Sequence, residues 1–169
     1  MSQITDCKLE YPLTSEFKLA GRVHILASGE LSPELILSPF LLVLQAVEKQ
    51  MTAEGLPFDI GLSINAFFSE KEEFTLRLLP EEKAITAKLV FYPLPRLSPY
   101  YGSKTLYMIL AEELCHAIWN IHDETLVSFK VFEVLLHIFP DLEIREIYSQ
   151  EIAAQHRKWV EDHPPACPS

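Results

Sequence analysis

The chain has 169 residues, a formal net charge of −10 and an apolar content of 49%. This length is sufficient for one domain with a buried core, and the composition is ordinary for a folded protein. The Lys and Arg residues are scattered along an acidic chain, which excludes a broad nucleic-acid-binding surface because such a surface must be basic. We therefore expect no nucleic-acid partner. We also expect no membrane partner, because the longest apolar stretch is too short to span a bilayer.

The three cysteines, Cys7, Cys115 and Cys167, are widely separated and follow no pattern. An odd number at such spacing is not typical of a disulfide framework, and the sequence contains no Cys-x-x-Cys pair for a structural zinc site. The first residues contain no basic segment followed by an apolar run, so no signal peptide is predicted. These features predict reduced thiols and a cytoplasmic location.

The first half of the chain is predicted to consist mostly of strands. Alternating apolar and polar residues, typical of half-buried strands, occur in four segments: residues 16–27, 58–68, 74–79 and 84–92. Between the first two segments, Ser32 and Pro33 indicate a helix start, and apolar residues at helical spacing continue this helix to about Glu54. The last two strands are expected to form a hairpin through residues 80–83.

The second half of the chain is predicted to be helical. A proline-rich loop over residues 93–102 separates the strands from three helices, over residues 104–120, 124–138 and 141–160. Ser103 and Asp141 are the predicted N-caps of the first and third of these helices. Segregated strands and helices indicate an α+β fold, with residues 1–163 as a single domain and residues 164–169 as a flexible proline-rich tail.

The strongest candidate for chemistry is the segment Glu112-Glu113-Leu114-Cys115-His116 on the first C-terminal helix. Residues three or four apart share a helix face, so Glu112, Glu113 and His116 lie along one flank of this helix. A carboxylate and an imidazole held in this way can form two arms of a divalent metal site. The alternative is that both glutamates belong to a solvated helix face.

A functional zinc ion needs a third protein ligand and an open position for water. Asn120 can adopt the left-handed conformation that ends a helix and reverses the chain. Such a turn would bring either His122 or Glu124 toward His116, and the spacing leaves both candidates open. Farther along, Glu133 and His137 form a second pair of possible ligands four residues apart.

The segment resembles the motif of the zincin metallopeptidases, which carry His-Glu-x-x-His on a helix behind a small mixed sheet with a backing helix. The resemblance covers roughly residues 16–124 and implies the same architecture here, a small mixed sheet with a backing helix, followed by the three C-terminal helices. It implies that His116 is the second zinc ligand and that Glu113 is the general base for the attacking water. Glu112 stands at the position of the first histidine.

The position of the third ligand differs between zincin branches. His122 lies at the offset of the third ligand in the metzincin branch, whereas Glu124 or Glu133 would correspond to the glutamate that a second branch takes from the next helix. Trp119 replaces the glycine of the metzincin motif, and no methionine follows residue 108. A carboxylate in place of the first histidine shifts the metal preference toward harder ions such as manganese.

The expected function is a metal-dependent hydrolase acting on a peptide or protein, with zinc as the first choice of metal, manganese as the second and no organic cofactor. The alternative is a catalytically inactive protein of the same fold that acts as an interaction or dimerisation module. The apolar segments 35–47 and 129–139 are the candidate surfaces of a homodimer. A third interpretation, a small-molecule binding domain, has no specific residue in its favour.

Overall fold

The computed structural model describes residues 9–11, 17–57, 63–72 and 87–163. Its strands and α-helices, in chain order, are β1 (Leu9–Tyr11), β2 (Val23–Ala27), α1 (Ser38–Ala53), β3 (Ser63–Ser69), β4 (Ala87–Pro93), α2 (Leu94–Leu97), α3 (Lys104–Trp119), α4 (Glu124–Leu136) and α5 (Gln150–Asp162). The predicted strand 74–79, its hairpin and the predicted tail lie outside the described residues.

The strands form one small mixed sheet in the order β1-β2-β3-β4. β1 pairs with β2 in antiparallel orientation, while β2, β3 and β4 are parallel. Parallel neighbours require a crossover connection, and α1 provides the one between β2 and β3. The predicted α+β class, with a small mixed sheet, a backing helix and further helices after it, is confirmed.

The backing helix α1 has defined signals at both ends. The hydroxyl of Ser32 accepts a hydrogen bond from the amide of Leu35 at 3.2 Å, and a π-helical turn, Pro33–Leu37, leads into α1. At the other end, Gly55 has a φ of 67° and the amide of Leu56 donates to the carbonyl of Met51 at 2.9 Å. This is the hydrogen-bond pattern of a glycine-terminated helix, as the sequence predicts.

The core lies between α1 and the face of the sheet that turns toward it. Residues on this face alternate strictly with residues on the other face, as in Ile64, Ala66 and Phe68 of β3, all of which are buried. The ring of Phe40 on α1 contacts those of Phe68 and Tyr92 edge-on, with centroids 5.3 and 5.7 Å away. These aromatic contacts anchor the helix on the sheet.

A buried hydrogen bond connects the sheet to α3. The hydroxyl of Tyr92 on β4 donates to the carbonyl of Leu110 at 2.8 Å. The buried side of α3 consists of apolar and small residues: Leu106, Leu110, Ala111, Leu114 and Cys115. With this side fixed against the core, the flank that carries Glu112 and His116 faces away from the sheet.

Polar contacts connect α1 with α4. The ammonium group of Lys130 lies between the carboxylates of Glu54 and Glu133. His137 contacts the side chain of Gln50 at 2.9 Å through its Nε2 atom. The side-chain amide of Gln50 also donates to the carboxylate of Glu133 at 3.4 Å, so Glu133 and His137, a pair of possible metal ligands by spacing, both contact Gln50 in the structure.

Three local features differ from the sequence predictions. The first long strand begins only at Val23, because residues 20–22 form a 3₁₀ turn and the preceding amide of Leu19 donates to Glu48 on α1 at 2.7 Å. The loop 93–102 contains the short helix α2 and a 3₁₀ turn, since its prolines occupy first-turn positions that suit them. Ser103 is the N-cap residue of α3, as predicted, but its side chain does not cap the helix, because its hydroxyl donates to the carbonyl of Tyr100.

The last predicted helix is also shorter than expected. Asp141 does not cap it, because the chain first forms a separate 3₁₀ turn, Ile144–Glu146, closed by reciprocal hydrogen bonds between Glu143 and Glu146. Ser149 then caps α5 by accepting a hydrogen bond from the amide of Ile152 at 3.3 Å.

Most apolar side chains of the segments 35–47 and 129–139 are buried within the chain itself. Leu35 and Leu42 are exceptions, with 43% and 41% of their surface exposed. The apolar character of both segments is therefore largely explained by the internal core, and the homodimer stays a prediction. In the described part of the chain, no helix has the length and apolar character needed to cross a membrane.

Candidate metal site

The turn between α3 and α4 brings Glu124 close to Glu112 and His116. Asn120 ends α3 with φ 54° and ψ 38°, the left-handed conformation that the sequence predicts. Asp123 then caps α4, its side chain accepting a hydrogen bond from the amide of Leu126 at 2.9 Å. Glu124, the first residue of α4, consequently lies beside the last turns of α3.

His116 is held by the same turn. Its Nδ1 atom lies 2.6 Å from the carbonyl oxygen of Ile121. Since a carbonyl oxygen only accepts hydrogen bonds, Nδ1 must carry the proton and donate it. The other ring nitrogen, Nε2, then has a free lone pair in the neutral imidazole. Histidines that bind metals in proteins commonly have their second nitrogen fixed in this way.

The carboxylates of Glu112 and Glu124 lie close to the imidazole of His116. Ligand atoms of Glu112, His116 and Glu124, which we call the Glu–His–Glu cluster, all lie within 4.8 Å of one another. Nε2 of His116 is 3.7 Å from a carboxylate oxygen of Glu124. Glu112 and His116 are half-buried, whereas Glu124 is exposed, so the cluster opens to solvent on one side.

These separations are compatible with a single small ion. The distance of 3.7 Å between His116 and Glu124 is too long for a hydrogen bond. Two ligands of a tetrahedral zinc ion, each about 2.0–2.1 Å from the metal, are about 3.4 Å apart. A small movement of the side chains would therefore bring all three ligand atoms to coordination distance, and one imidazole with two carboxylates suits zinc or manganese.

The electrostatics of the cluster favour a cation. Partial burial and the carboxylates of Glu124 and Glu113 raise the pKa of Glu112, although His116 opposes this effect. The carboxylates of Glu112 and Glu124 therefore repel each other when both are ionised. A bound divalent cation would relieve this repulsion, because its charge compensates that of the two carboxylates.

Glu113, the predicted base, lies beside the cluster. The side chain as a whole is exposed. Partial burial of its carboxylate nevertheless raises its pKa, which His116 lowers and Glu124 raises further. A carboxylate whose pKa is raised takes up a proton from water more readily than an ordinary glutamate, which suits a general base next to a metal site.

The structure distinguishes between the two possible third ligands by position. Glu124 lies in the cluster, while His122 is exposed in the α3–α4 turn and is not part of the metal-ligand group found in the described residues. The sequence did not indicate the carbonyl of Ile121, which contacts Nδ1 of His116 at 2.6 Å. This group gives no signal in the sequence, because every residue has a backbone carbonyl.

The left-handed turn at Asn120 yields a testable prediction. Asn120→Ala is expected to lower the free energy of unfolding by about 1 kcal/mol, because a Cβ-bearing residue without a local side-chain hydrogen bond is strained in this conformation. Asn120→Gly, the control, should change it much less, because glycine adopts positive φ at no steric cost. Equal losses in chemical denaturation would contradict this role of the turn.

No protein-family model, curated protein or solved structure matches the chain.

Proposed function

We propose that the Glu–His–Glu cluster binds one divalent transition-metal ion and that the chain is a metal-dependent hydrolase of peptides or proteins. The observation that carries the proposal is the 2.6 Å contact between Nδ1 of His116 and the carbonyl of Ile121, which leaves Nε2 of His116 3.7 Å from Glu124 in a cluster whose ligand atoms lie within 4.8 Å of one another. Zinc is the first choice for this set of donors, and manganese is the second.

The proposed chemistry divides between the ion and Glu113. An ion with three protein ligands and an open position supplies a Lewis acid and lowers the pKa of water. Glu113, beside the cluster, takes the proton of the water that attacks the substrate carbonyl and returns it to the leaving amine. His116 keeps its orientation throughout, because Ile121 fixes its ring.

The resemblance to zincins is part of this proposal. It is supported by the Glu112–His116 segment on a helix, by the small mixed sheet with its backing helix, and by Glu124 on the following helix. The proposed third ligand thus comes from the next helix, as in the second zincin branch, and not from His122. The free, buried thiol of Cys115 supports the cytoplasmic location that we propose with it.

The hydrolase is tested with protein purified without chelator. Metal content is measured by elemental mass spectrometry, and the zinc- and manganese-loaded forms are incubated with a library of fluorescence-quenched peptides. We expect about one metal ion per chain and peptide cleavage that stops when a chelator removes the metal. Metal binding without cleavage of any peptide would leave the metal site in place and overturn the peptidase.

Because the carboxylates of the cluster repel one another, Glu112→Gln should weaken metal binding but stabilise the metal-free chain. Glu112→Gln should weaken zinc binding by more than about 100-fold, the upper range for loss of a group that only supports a ligand. In the metal-free protein the same substitution should raise the melting temperature at pH 7, because it removes a carboxylate whose pKa is raised by burial and by Glu124 and Glu113.

The raised pKa of Glu112 determines how its effect on stability depends on pH. Because the pKa of Glu112 is higher in the folded chain than in the unfolded chain, its charge destabilises the fold above the folded pKa, and the effect disappears as the pH falls through both values. The melting-temperature advantage of Glu112→Gln should therefore vanish in acid. Glu151→Gln on the exposed face of α5 is the control, and a metal-free Glu112→Gln less stable than this control would contradict the prediction.

A further inference from the structure

The side chain of Asp123 fixes the start of α4. Its Oδ1 atom accepts a hydrogen bond from the amide of Leu126 at 2.9 Å, and its backbone carbonyl accepts one from the amide of Val127, also at 2.9 Å. The first amides of a helix have no partner within the helix itself, and an aspartate at the N-cap position satisfies one of them. Asp123 therefore determines the residue at which α4 begins.

The start of α4 decides where Glu124 lies. Glu124 is the first residue of this helix, and one oxygen of its carboxylate is 3.7 Å from Nε2 of His116. Its side chain is 78% exposed, so packing against the core contributes little to its position. Glu112 and His116, by contrast, lie within α3, whose other side is buried in the core. Of the three members of the cluster, Glu124 thus depends most on the backbone that carries it.

Hydrogen bonds hold both ends of the α3–α4 turn. At the α3 end, the carbonyl oxygen of Ile121 lies 2.6 Å from Nδ1 of His116. At the α4 end, the hydrogen bond between Asp123 and the amide of Leu126 closes the first turn of the helix. Residues 120–123 are all that separates the two helices. The turn therefore leaves few alternative positions for the residue that follows it.

We propose that Asp123 is a positioning residue of the metal site: its N-cap hydrogen bond holds Glu124 where the carboxylate reaches an ion beside His116. This inference rests on the proposed function. Asp123 is not a member of the cluster, and its Oδ1 atom is already bonded to the amide of Leu126. Without the cap, the first turn of α4 frays, and metal binding must first restore the start of the helix. Loss of the cap therefore weakens metal binding although every ligand is still present.

The test compares the parent protein with Asp123→Ala, Asp123→Asn and Ser32→Ala. Asparagine caps helices as well as aspartate does but carries no charge, so Asp123→Asn keeps the hydrogen bond. Ser32→Ala is the matched control. The Ser32 hydroxyl accepts a bond of the same kind, from the amide of Leu35 at 3.2 Å, and the segment that it caps leads into α1, which carries no member of the cluster. Zinc affinity is measured by competition with a chromophoric chelator, and the cobalt-substituted proteins are examined by visible absorption spectroscopy.

We expect Asp123→Ala to bind zinc about 10-fold more weakly than the parent and to give an altered cobalt spectrum, because Glu124 is no longer held in place. Asp123→Asn should give the spectrum of the parent and nearly its affinity. Ser32→Ala should match the parent in both measurements. Each alanine variant loses one cap and should melt about 2–4 °C below the parent in the metal-free form, so the two differ in metal binding and not in stability.

The outcomes separate this inference from the proposed function. If the parent binds neither zinc nor cobalt, the proposed function fails and the role of Asp123 fails with it. If the parent binds both ions and Asp123→Ala matches it in affinity and spectrum, only the role of Asp123 is overturned. Asp123→Asn as weak as Asp123→Ala would also overturn it, since the charge and not the cap would then support the ion. An equal loss of affinity in Ser32→Ala would do the same, because it would show a general effect of stability.

Discussion

His116→Ala should leave the chain without bound metal. His116 supplies the only nitrogen of the Glu–His–Glu cluster, and its ring orientation is set by the 2.6 Å contact between Nδ1 and the carbonyl of Ile121. Two carboxylates that remain on separate helices cannot hold zinc tightly, so we expect the affinity to fall by well over about 100-fold. Elemental analysis and a thermal shift with added zinc measure the effect.

Zinc binding should raise the melting temperature of the parent protein by several degrees. At a zinc concentration of about 100 times the dissociation constant, the parent gains about 2.7 kcal/mol of stability. For a chain of this size that corresponds to a rise of roughly 5–10 °C in melting temperature. His116→Ala should show no such rise. His122→Ala is the matched control and should retain the full shift, because His122 lies outside the cluster. Loss of the shift in His122→Ala alone would contradict the assignment of ligands.

Glu113→Gln should abolish most hydrolysis while the metal stays bound. Glu113 lies beside the cluster without belonging to it, and its raised pKa suits it to accept a proton from water. Loss of a general base typically costs about 10²–10⁴-fold in rate. The turnover number should fall by this factor at unchanged metal content, because glutamine preserves the shape of the side chain but cannot take a proton.

Measuring turnover number and metal content together distinguishes a general base from a metal ligand. A fall in activity together with lost metal would identify Glu113 as a ligand instead of a base. An unchanged turnover number would remove it from the mechanism altogether. The control is Glu151→Gln on α5, which makes the same chemical change on an exposed helix face and should leave turnover unaffected.

Local signals in the sequence predict the helices well. The helix 104–120 appears as Lys104–Trp119, and the left-handed residue that ends it is the predicted Asn120. Both depend on short-range patterns, namely apolar spacing and a residue type that tolerates positive φ. The strand pairing was not predictable in this way, since whether β2, β3 and β4 run parallel depends on contacts between distant segments.

In the candidate site, too, short-range features could be predicted from the sequence and long-range ones could not. The pairing of Glu112 with His116 follows from their spacing on one helix. The preference for Glu124 over His122 does not, because it depends on where the three residues after Asn120 place the start of α4.

The most direct test is an anomalous diffraction experiment on crystals grown with excess zinc, recorded on both sides of the zinc absorption edge. A zinc ion should give an anomalous peak about 2.0–2.1 Å from Nε2 of His116, with oxygens of Glu112 and Glu124 completing three protein ligands. Crystals in which the imidazole keeps its contact with Ile121 but no anomalous peak lies beside it would contradict the metal site, and the hydrolase with it.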